Sequence, residues 1–424
     1  MRLGPARPSM TTDAAAVVVL GAGLTGATAA LELARNGVGV TLIEQDACAM
    51  NRASLRNEGK IHLGFVFVHD RSLATAELML AGALSFRSIL ARLAGPSIET
   101  LAQSRPFVYL VAHDSLLRAD EIERRFRAIE ALYRARIREL SNGDYLGLRP
   151  ETLFSRIPTG AIDGRLRGEQ FLAAFDTAEV AIDTQELAEV VRAAIAAEPR
   201  IRLLAGRNVE SVERCGEGFR VHGSSTAGSW RIGARQIVNA TWENRFKIDR
   251  TVGMEHKPGW LHRLKYRVIA RVPASLHGAP SATMIVGRYG DVVIRPDGTA
   301  YFSWYPAGLQ GWTDALAPPA SWNLPCRGEV PEDERRSIAA ALLGAIERWY
   351  PGAAQSDVEL VDAGAIVAYG SSDVDDPASG LHDRTRVGVT SSAGYHSVDP
   401  GKLTTAPLFG VRAAQAVLAA MVAV

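Results

Sequence analysis

Three glycines and one acid near the amino terminus have the spacing of a dinucleotide site. Gly21, Gly23 and Gly26 follow the apolar residues 17–20, and Glu44 ends the next apolar run. The first glycine permits a tight strand-to-helix turn, the second lets a pyrophosphate approach the backbone, and the third allows close packing of helix and strand. The helix start offers N–H groups to phosphate, and Glu44 can accept ribose hydroxyls but would repel the 2′-phosphate of NADP. The spacing predicts dinucleotide binding.

NAD and FAD share this glycine pattern, so other segments must distinguish them. Residues 53–64 (ASLRNEGKIHLG) follow the second predicted strand and are dense in glycine and hydrogen-bonding side chains. Residues 391–403 (SSAGYHSVDPGKL) form a predicted polar loop that enters the last helix, where N–H dipoles and Lys402 can meet an electron-rich ring oxygen. A second GxGxxG does not occur, so a separate nicotinamide domain is not expected. These features favour FAD.

Strand and helix patterns show how such residues would be positioned. Alternating α/β patterns occur near both ends and in the middle of the chain, whereas residues 261–304 alternate like antiparallel strands with Asp297-Gly298 as a hairpin turn. We therefore expect an α/β fold in which a Rossmann-like domain is interleaved with an α+β domain on a mixed or antiparallel sheet. The predicted boundaries are a disordered tail at 1–13, a cofactor domain at 14–95, 150–247 and 355–424, and a substrate domain at 96–149 and 248–354.

Composition excludes several classes of function. The 424 residues carry a net charge of +1, which implies neither a nucleic-acid partner nor an anionic membrane surface. Cys48, Cys215 and Cys326 are far apart, which fits a reducing compartment without a zinc site or disulfide scaffold. The amino terminus lacks the apolar core of a signal peptide, and no run reaches the roughly 18 apolar residues of a membrane span. We expect a cytoplasmic protein with no metal and no transmembrane segment.

At these motifs the chain resembles the FAD-dependent D-amino-acid oxidase (DAO) superfamily. This superfamily includes glycine and sarcosine oxidases, glycerol-3-phosphate dehydrogenase and L-2-hydroxyglutarate dehydrogenase. Four motifs fall in the family's order: GAGLTG at 21–26 with Glu44, SLRNEGKIHLG at 54–64, NATW at 239–242 and GYHSVDPGKLTTAP at 394–407. The first motif is generic to flavoproteins, but its combination with the last is fairly specific.

The resemblance implies FAD in an extended pose on a Rossmann-like domain of the glutathione-reductase type. The glycine turn would hold the pyrophosphate, Glu44 the ribose, the 54–60 segment the ribityl and flavin side, and the carboxyl-terminal loop the pyrimidine end. We expect non-covalent FAD, with attachment through His62 as the alternative. The expected cofactor-binding residues are Gly21, Gly23, Leu24, Thr25, Gly26, Glu44, Ser54, Arg56, Asn57, Lys60, Gly394, Gly401, Lys402 and Leu403.

Four residues are candidates for catalysis. Lys402 could stabilise negative charge on reduced flavin, although a lysine exposed at a helix start is the structural alternative. His62 could act as a base or substrate anchor if its segment crosses the flavin ring, the alternative being a buried, hydrogen-bonded histidine. We expect at least one of Tyr395 and His396 to face the cavity. Arg245, after the strand that ends at Thr241-Trp242, is the fourth candidate.

Arg245 could clamp a substrate carboxylate through two parallel hydrogen bonds. Its rivals are other basic residues, each of which is more often a surface charge: Arg165, Arg167, Arg263, Lys265 and Arg267. The aromatic run at 301–305 (YFSWY) can wall a pocket or belong to the core. The sequence does not decide between amine and alcohol oxidation.

The leading hypothesis is an FAD-dependent oxidase or dehydrogenase that removes a hydride from a CH–NH or CH–OH bond of a small polar metabolite. Its electron acceptor would be O2 or a carrier. The alternatives are a single-component flavin monooxygenase that uses NAD(P)H, a flavin-binding protein without turnover, and an NAD-linked dehydrogenase.

Overall fold

The structure is a computed structural model that describes residues 15–140, 143–162, 164–370, 372–374, 376, 378–381 and 383–422. The predicted disordered tail at 1–13 lies outside these residues. Within them the strands are β1 Ala15–Leu20, β2 Val40–Ile43, β3 Phe107–Ala112, β4 Phe154–Ile157, β5 Phe171–Thr177, β6 Ile201–Leu204, β7 Asn208–Cys215, β8 Gly218–Ser225, β9 Gly228–Asn239, β10 Trp260–Arg271, β11 Ser281–Met284, β12 Gly290–Ile294, β13 Thr299–Trp304, β14 Leu309–Thr313, β15 Asp357–Tyr369, β16 Gly388–Ser392 and β17 Tyr395–Asp399.

Helices alternate with these strands, and short 3₁₀ turns join several of them. The α-helices in the described residues are α1 Leu24–Arg35, α2 Ala74–Ala94, α3 Ala119–Glu139, α4 Thr184–Ala197, α5 Arg245–Thr251, α6 Tyr305–Gly308, α7 Asn323–Cys326, α8 Glu332–Glu347 and α9 Ala406–Val422.

The first sheet has the strand order β16-β17-β9-β1-β2-β6, and the antiparallel strands β7 and β8 extend from β9. β1 pairs in parallel with β2 and β9, and β9 pairs in parallel with β17. The last four residues of the inner strand β1, three valines and a leucine at 17–20, are fully buried, as expected for a strand covered on both faces. Since parallel strands end at the same edge, the turns after β1, β2, β9 and β17 lie close together.

The second sheet has the order β14-β10-β13-β12-β11-β3-β5-β4, with β15 also paired to β10. The antiparallel β10–β15 ladder is long, running from the Trp260–Tyr369 pair to the Arg271–Asp357 pair. Successive side chains of a strand point to opposite faces. Leu264, Tyr266, Val268 and Ala270 accordingly pack in one core with α8, while the basic residues between them face the other way.

Sheet membership differs from the predicted domain boundaries at three strands. Phe154–Ile157, Phe171–Thr177 and Asp357–Tyr369 fall in the segments assigned to the cofactor domain, but β4, β5 and β15 belong to the second sheet. β5 pairs with β3 and β15 with β10, both antiparallel and both remote in sequence. Burial patterns along one segment do not reveal which distant strand completes its hydrogen bonds. The domain boundaries stay a prediction.

The polar segment at 391–403 is not a loop throughout. It contains most of the hairpin β16–β17, whose turn at Ala393 and Gly394 has positive φ at both residues (43° and 82°), as a two-residue hairpin turn requires. β17 then lies beside β9 within the sheet. Only the residues after Asp399 form the expected turn into the last helix.

Two helical segments of the described residues, Ala74–Ala94 and Leu403–Val422, are long and apolar enough to cross a membrane by length and composition. Half of the most apolar 18-residue stretch of each segment is buried inside the protein, as in the core helices of many proteins that never enter a bilayer. The predicted absence of a transmembrane segment stays a prediction.

Gly26 has no room for a side chain. A Cβ there would lie 1.9 Å from the carbonyl oxygen of Gly21, whereas a Cβ at Gly39 would meet nothing within 4 Å. We expect Gly26→Ala to lower the free energy of unfolding by about 1–3 kcal/mol or more, and to reduce bound flavin. Gly39→Ala should change stability by less than about 0.5 kcal/mol. Thermal unfolding and flavin absorbance measure both, and equal behaviour of the two variants would contradict the packing argument.

Candidate active site

A deep cavity lies where the carboxyl ends of the first sheet's strands face the second sheet. Its walls include the turns after β1, β2, β9 and β17 and the inward faces of β10 to β13. Gly21 and residues 23–25, 43–45, 51–54 and 56–58 line the side of the first sheet, and Arg263, Lys265, Tyr301, Tyr305 and Arg384 line the opposite side. The cavity therefore joins the two halves of the protein.

The glycine turn forms a cradle whose space a side chain would fill. Gly21 has φ +89°, and a Cβ there would lie 2.6 Å from the carbonyl oxygen of Ala240. A Cβ at Gly23 would lie 2.9 Å from the Ser54 hydroxyl oxygen, which accepts the Leu24 N–H at 2.9 Å. Bare backbone at the start of α1 suits a pyrophosphate. The predicted residues Thr25 and Gly26 belong to the same helix start.

Glu44 lies beside this turn, at the end of β2. Its two carboxylate oxygens accept the N–H groups of Ala22 at 2.8 Å and Asp46 at 3.0 Å. Burial raises the pKa of Glu44 to about 7, although these two hydrogen bonds act in the opposite direction. The side chain lines the cavity, where ribose hydroxyls can donate to it.

The predicted flavin-side residues Ser54, Arg56 and Asn57 all line the cavity. Asn57 also accepts the Gly59 N–H at 2.8 Å, which closes the turn. The Nε atom of Arg56 lies 3.2 Å from the carboxylate of Asp362 on β15, so Arg56 also connects this segment to the second sheet.

Lys60 was predicted to bind the cofactor, and it is held mainly by the second sheet. Its Nζ donates to Asp291 at 2.8 Å and, through a shorter contact, to Thr283. The ammonium lies 4.0 Å from the centre of the Phe107 ring. Lys60 lines the cavity, but Asp291 already neutralises its charge.

The carboxyl-terminal turn meets the amino-terminal segment at this cavity. Gly401, Lys402 and Leu403 line it together with His62, and the His62 N–H donates to the Thr404 hydroxyl at 2.9 Å. Burial lowers the pKa of Lys402, with a further contribution from Arg384, although the Glu58 carboxylate opposes it. Lys402 is therefore a half-buried side chain that lines the cavity and not one exposed at a helix start.

Tyr395, Arg245 and Gly394 do not line the cavity, contrary to the prediction. Tyr395 donates to Asp249 at 2.8 Å, and the Arg245 guanidinium lies 2.8 Å from Asp399. Gly394 forms the hairpin turn before the amino end of β17, whereas the cavity lies at its carboxyl end. These residues build a buried polar network behind the cavity, and His396 also points away from it to Gln236 at 3.1 Å.

The rival basic residues divide into three groups. Arg267 forms two hydrogen bonds with Asp362, at 2.6 and 3.1 Å, and is neutralised. Arg165 and Arg167 are not among the cavity-lining residues. Arg263 and Lys265 line the cavity, and among the described residues the nearest carboxylate oxygen to Arg263 is 4.0 Å away, on Asp373.

Several cavity residues were missed by sequence reasoning. Glu58 lies inside the noted 53–64 segment but carried no separate signal, and Arg384 had none. The aromatic run at 301–305 was noted from the sequence: its Tyr301 and Tyr305 line the cavity, while Phe302 lies on the opposite face of β13 and packs in the core. Glu179 lies behind His62, with its carboxylate 3.2 Å from Nδ1; its partners come from remote segments.

Positive charge dominates the second-sheet end of the cavity. Burial alone would raise the pKa of the Tyr305 hydroxyl, yet neighbouring cations lower it below its usual value. Burial, assisted by the nearby Arg263, lowers the pKa of Arg384 to about 10. The cations around Tyr305 are Arg263, Lys265, Lys402 and Arg384.

Comparison with protein families matches residues 16–416 to the DAO family, described as FAD dependent oxidoreductase. Because the match spans nearly the whole chain, the protein belongs to this family. None of the curated proteins compared by sequence matches the chain significantly.

Solved structures share the fold at low sequence identity. Glycine oxidase from Geobacillus kaustophilus has a TM-score of 0.67 and 15% identity, covering 95% of this chain and 94% of that one. L-alpha-glycerophosphate oxidase from Mycoplasma pneumoniae with FAD bound has a TM-score of 0.67 and 15% identity, with coverages of 96% and 95%. L-proline dehydrogenase from P. horikoshii has a TM-score of 0.64 and 15% identity, with coverages of 95% and 93%.

The predicted family, fold class, enzyme class and cofactor are confirmed: the protein is an FAD-dependent oxidoreductase. FAD, when bound, supplies the hydride acceptor, and the protein orients the substrate and places charge. The family match favours this class over the three alternatives: the flavin monooxygenase, the NAD-linked dehydrogenase and the flavin-binding protein without turnover. The roles of individual residues stay predictions.

Glu44 makes FAD binding depend on pH. Its carboxyl group is half protonated near pH 7 in the free protein, and donation by ribose hydroxyls favours the ionised form. We expect the dissociation constant for FAD to rise as pH falls below about 7, by up to about tenfold per pH unit. Fluorescence titration of apoprotein measures this dependence, which should be absent from Glu44→Gln in the same window; the same slope in that variant would overturn the assignment.

Tyr395 is expected to stabilise the fold and not to take part in the chemistry. Tyr395→Phe removes a hydroxyl that donates to Asp249 and accepts from Asn239. The loss should lower the free energy of unfolding by about 1–3 kcal/mol and leave the rate of flavin reduction by substrate unchanged. Denaturant unfolding and stopped-flow absorbance measure the two effects; a slowed reduction with unchanged stability would restore the catalytic interpretation.

Proposed function

We propose that this enzyme oxidises the CH–NH or CH–OH bond of a small α-amino or α-hydroxy acid, whose carboxylate binds at the cationic end of the cavity. The observation that carries the proposal is the cluster of Arg263, Arg384 and Lys265 around Tyr305. Buried cations are costly unless they are paired. An anionic substrate would supply the missing negative charge.

The arginines are the strongest candidates within this cluster. The Nε atoms of Arg263 and Arg384 are buried and have no hydrogen-bond partner among the residues described. A guanidinium offers a planar fork that matches a carboxylate through two hydrogen bonds. Other arginines near the cavity already contact carboxylates: Arg56 and Arg267 both contact Asp362, and Arg52 contacts Asp46 and Glu243.

The electron acceptor and the location in the cell are further parts of the proposal. We infer that reduced enzyme passes its electrons to O2 or to a carrier, and that the protein works in the cytoplasm. Three cysteines, all free in the described residues, support a reducing compartment. The solved structures that share this fold include both oxidases and a dehydrogenase.

Anaerobic reduction of the bound flavin by a panel of compounds tests the substrate class. The panel holds amino acids, hydroxy acids, their uncharged amides, and phosphate esters, and air is readmitted after reduction to report oxygen reactivity. We expect carboxylates to reduce the flavin and their amides to do so poorly. Reduction by neutral amines alone, or by phosphate esters alone, would contradict the proposal.

Arg384→Met should weaken use of a carboxylate substrate by about 10- to 100-fold in kcat/KM, which corresponds to a charged hydrogen bond of about 1.5–3 kcal/mol. Arg386→Met is the matched control, because Arg386 lies two residues away, is exposed and faces the Tyr369 ring at 5.3 Å. Steady-state kinetics with a carboxylate and its amide measures both variants. Equal losses for the carboxylate and the amide would argue against a carboxylate site at Arg384.

A further inference from the structure

Glu179 is a fully buried carboxylate directly behind the cavity wall. One oxygen accepts the Leu63 N–H at 2.7 Å. The other oxygen accepts the Tyr109 hydroxyl and lies 3.2 Å from Nδ1 of His62. Three donors therefore converge on a side chain that has no exposed surface.

The charge of Glu179 determines which nitrogen of His62 carries a proton. Burial opposes ionisation of Glu179, but His62, Lys60 and Tyr109 together lower its pKa below the usual value. An ionised carboxylate can only accept hydrogen bonds. The Nδ1 atom of His62 must then be the protonated one, which leaves the lone pair of a neutral imidazole on Nε2.

Nε2 of His62 is buried and has no hydrogen-bond partner among the described residues. It lies 3.5 Å from the carboxylate of Glu58, and both side chains line the cavity. The Phe67 ring packs edge-on against the imidazole at 5.5 Å and limits its rotation. The imidazole is thus held between a buried carboxylate and one at the cavity.

We propose that Glu179 is a positioning residue that holds His62 with Nδ1 protonated, so that Nε2 receives the proton released by the substrate. The N–H or O–H bond of the substrate breaks, and its electron pair forms the C=N or C=O bond. The hydride leaves carbon with the electron pair of the C–H bond and goes to the acceptor that FAD would supply when bound. Only the chemical class of the substrate rests on the proposed function.

Glu58 stabilises the resulting imidazolium but is a poor proton acceptor itself. Burial would raise the pKa of Glu58, yet His62, Lys402 and Lys265 hold it well below the usual value. Among the described residues, Lys60 and Asp291 also lie near this pair and neutralise each other at 2.8 Å. The Glu58 carboxylate, 3.5 Å from Nε2, can pair with the imidazolium once Nε2 has taken the proton.

Nitrogen NMR of the resting holoenzyme labelled at histidine tests the first half of the proposal without any substrate. The His62 signals are identified by their loss in His62→Asn. We expect a protonated Nδ1 and an unprotonated Nε2 at alkaline pH. The opposite tautomer in the unmodified protein would overturn the proposal, whatever the substrate is.

Glu179→Gln tests the second half, because an amide cannot accept from all three donors. With a substrate from the panel above, we expect flavin reduction at the alkaline plateau to slow by at least about tenfold. The acidic limb of its pH profile should move to lower pH, since the imidazolium loses an anionic partner, while substrate affinity stays unchanged. Glu179→Asp keeps the charge and should recover part of the rate.

Glu130→Gln is the matched control: Glu130 is also buried and accepts a backbone N–H from another segment, that of Leu153 at 3.0 Å, but it does not line the cavity. It should leave the pH profile and the His62 signals unchanged. An unaltered pH profile in Glu179→Gln with flavin fully bound would refute the positioning role. If Glu179→Gln does not fold, the NMR tautomer and Glu179→Asp still decide.

Discussion

The parallel pairing of β17 with β9 is the constraint on which the active site depends. It brings the last turn of the chain, at Gly401, to the same sheet edge as the first glycine turn, at Gly21, although 380 residues separate them. The pairing places polar side chains inside a sheet, where they need partners. Asp249 supplies them by accepting from Tyr395, Ser397 and Asn239. The cost of burying β17 is thus offset by hydrogen bonds that also hold the turn after it.

Ion pairs divide the basic residues of the cavity into structural and available ones. The same strand, β10, carries Arg267, which pairs with Asp362, and Arg263, whose nearest carboxylate among the described residues is 4.0 Å away. Both side chains lie on the cavity side of the sheet. What separates their functions is the opposite strand, because Asp362 on β15 lies directly across from Arg267. Of these two arginines, Arg263 is therefore the one left available to an anionic ligand.

The sequence predicted the features that local physics decides. The glycine turn needs Gly21, Gly23 and Gly26 for steric reasons that any structure must respect, and the alternation along 261–304 placed basic and apolar residues on opposite faces. The sequence could not predict contacts between residues that lie far apart in the chain. Nothing local tells that Arg245 meets Asp399, or that a polar segment such as 395–399 is an inner strand. The same holds for Glu179, which is 117 residues from His62.

The segment at 54–62 belongs to both halves of the protein at once. Its Ser54 borders the glycine turn, while Arg56 and Lys60 are anchored by Asp362 and Asp291 of the second sheet. The strands of the two sheets alternate along the chain. Dividing the chain at a single point would therefore not yield two intact halves. We therefore expect the enzyme to unfold as one cooperative unit. A fragment that kept only the glycine turn and the segment at 54–62 would lack the strands of the second sheet that hold this segment in place. Evolutionary exchange of one half for another must therefore preserve these anchoring carboxylates.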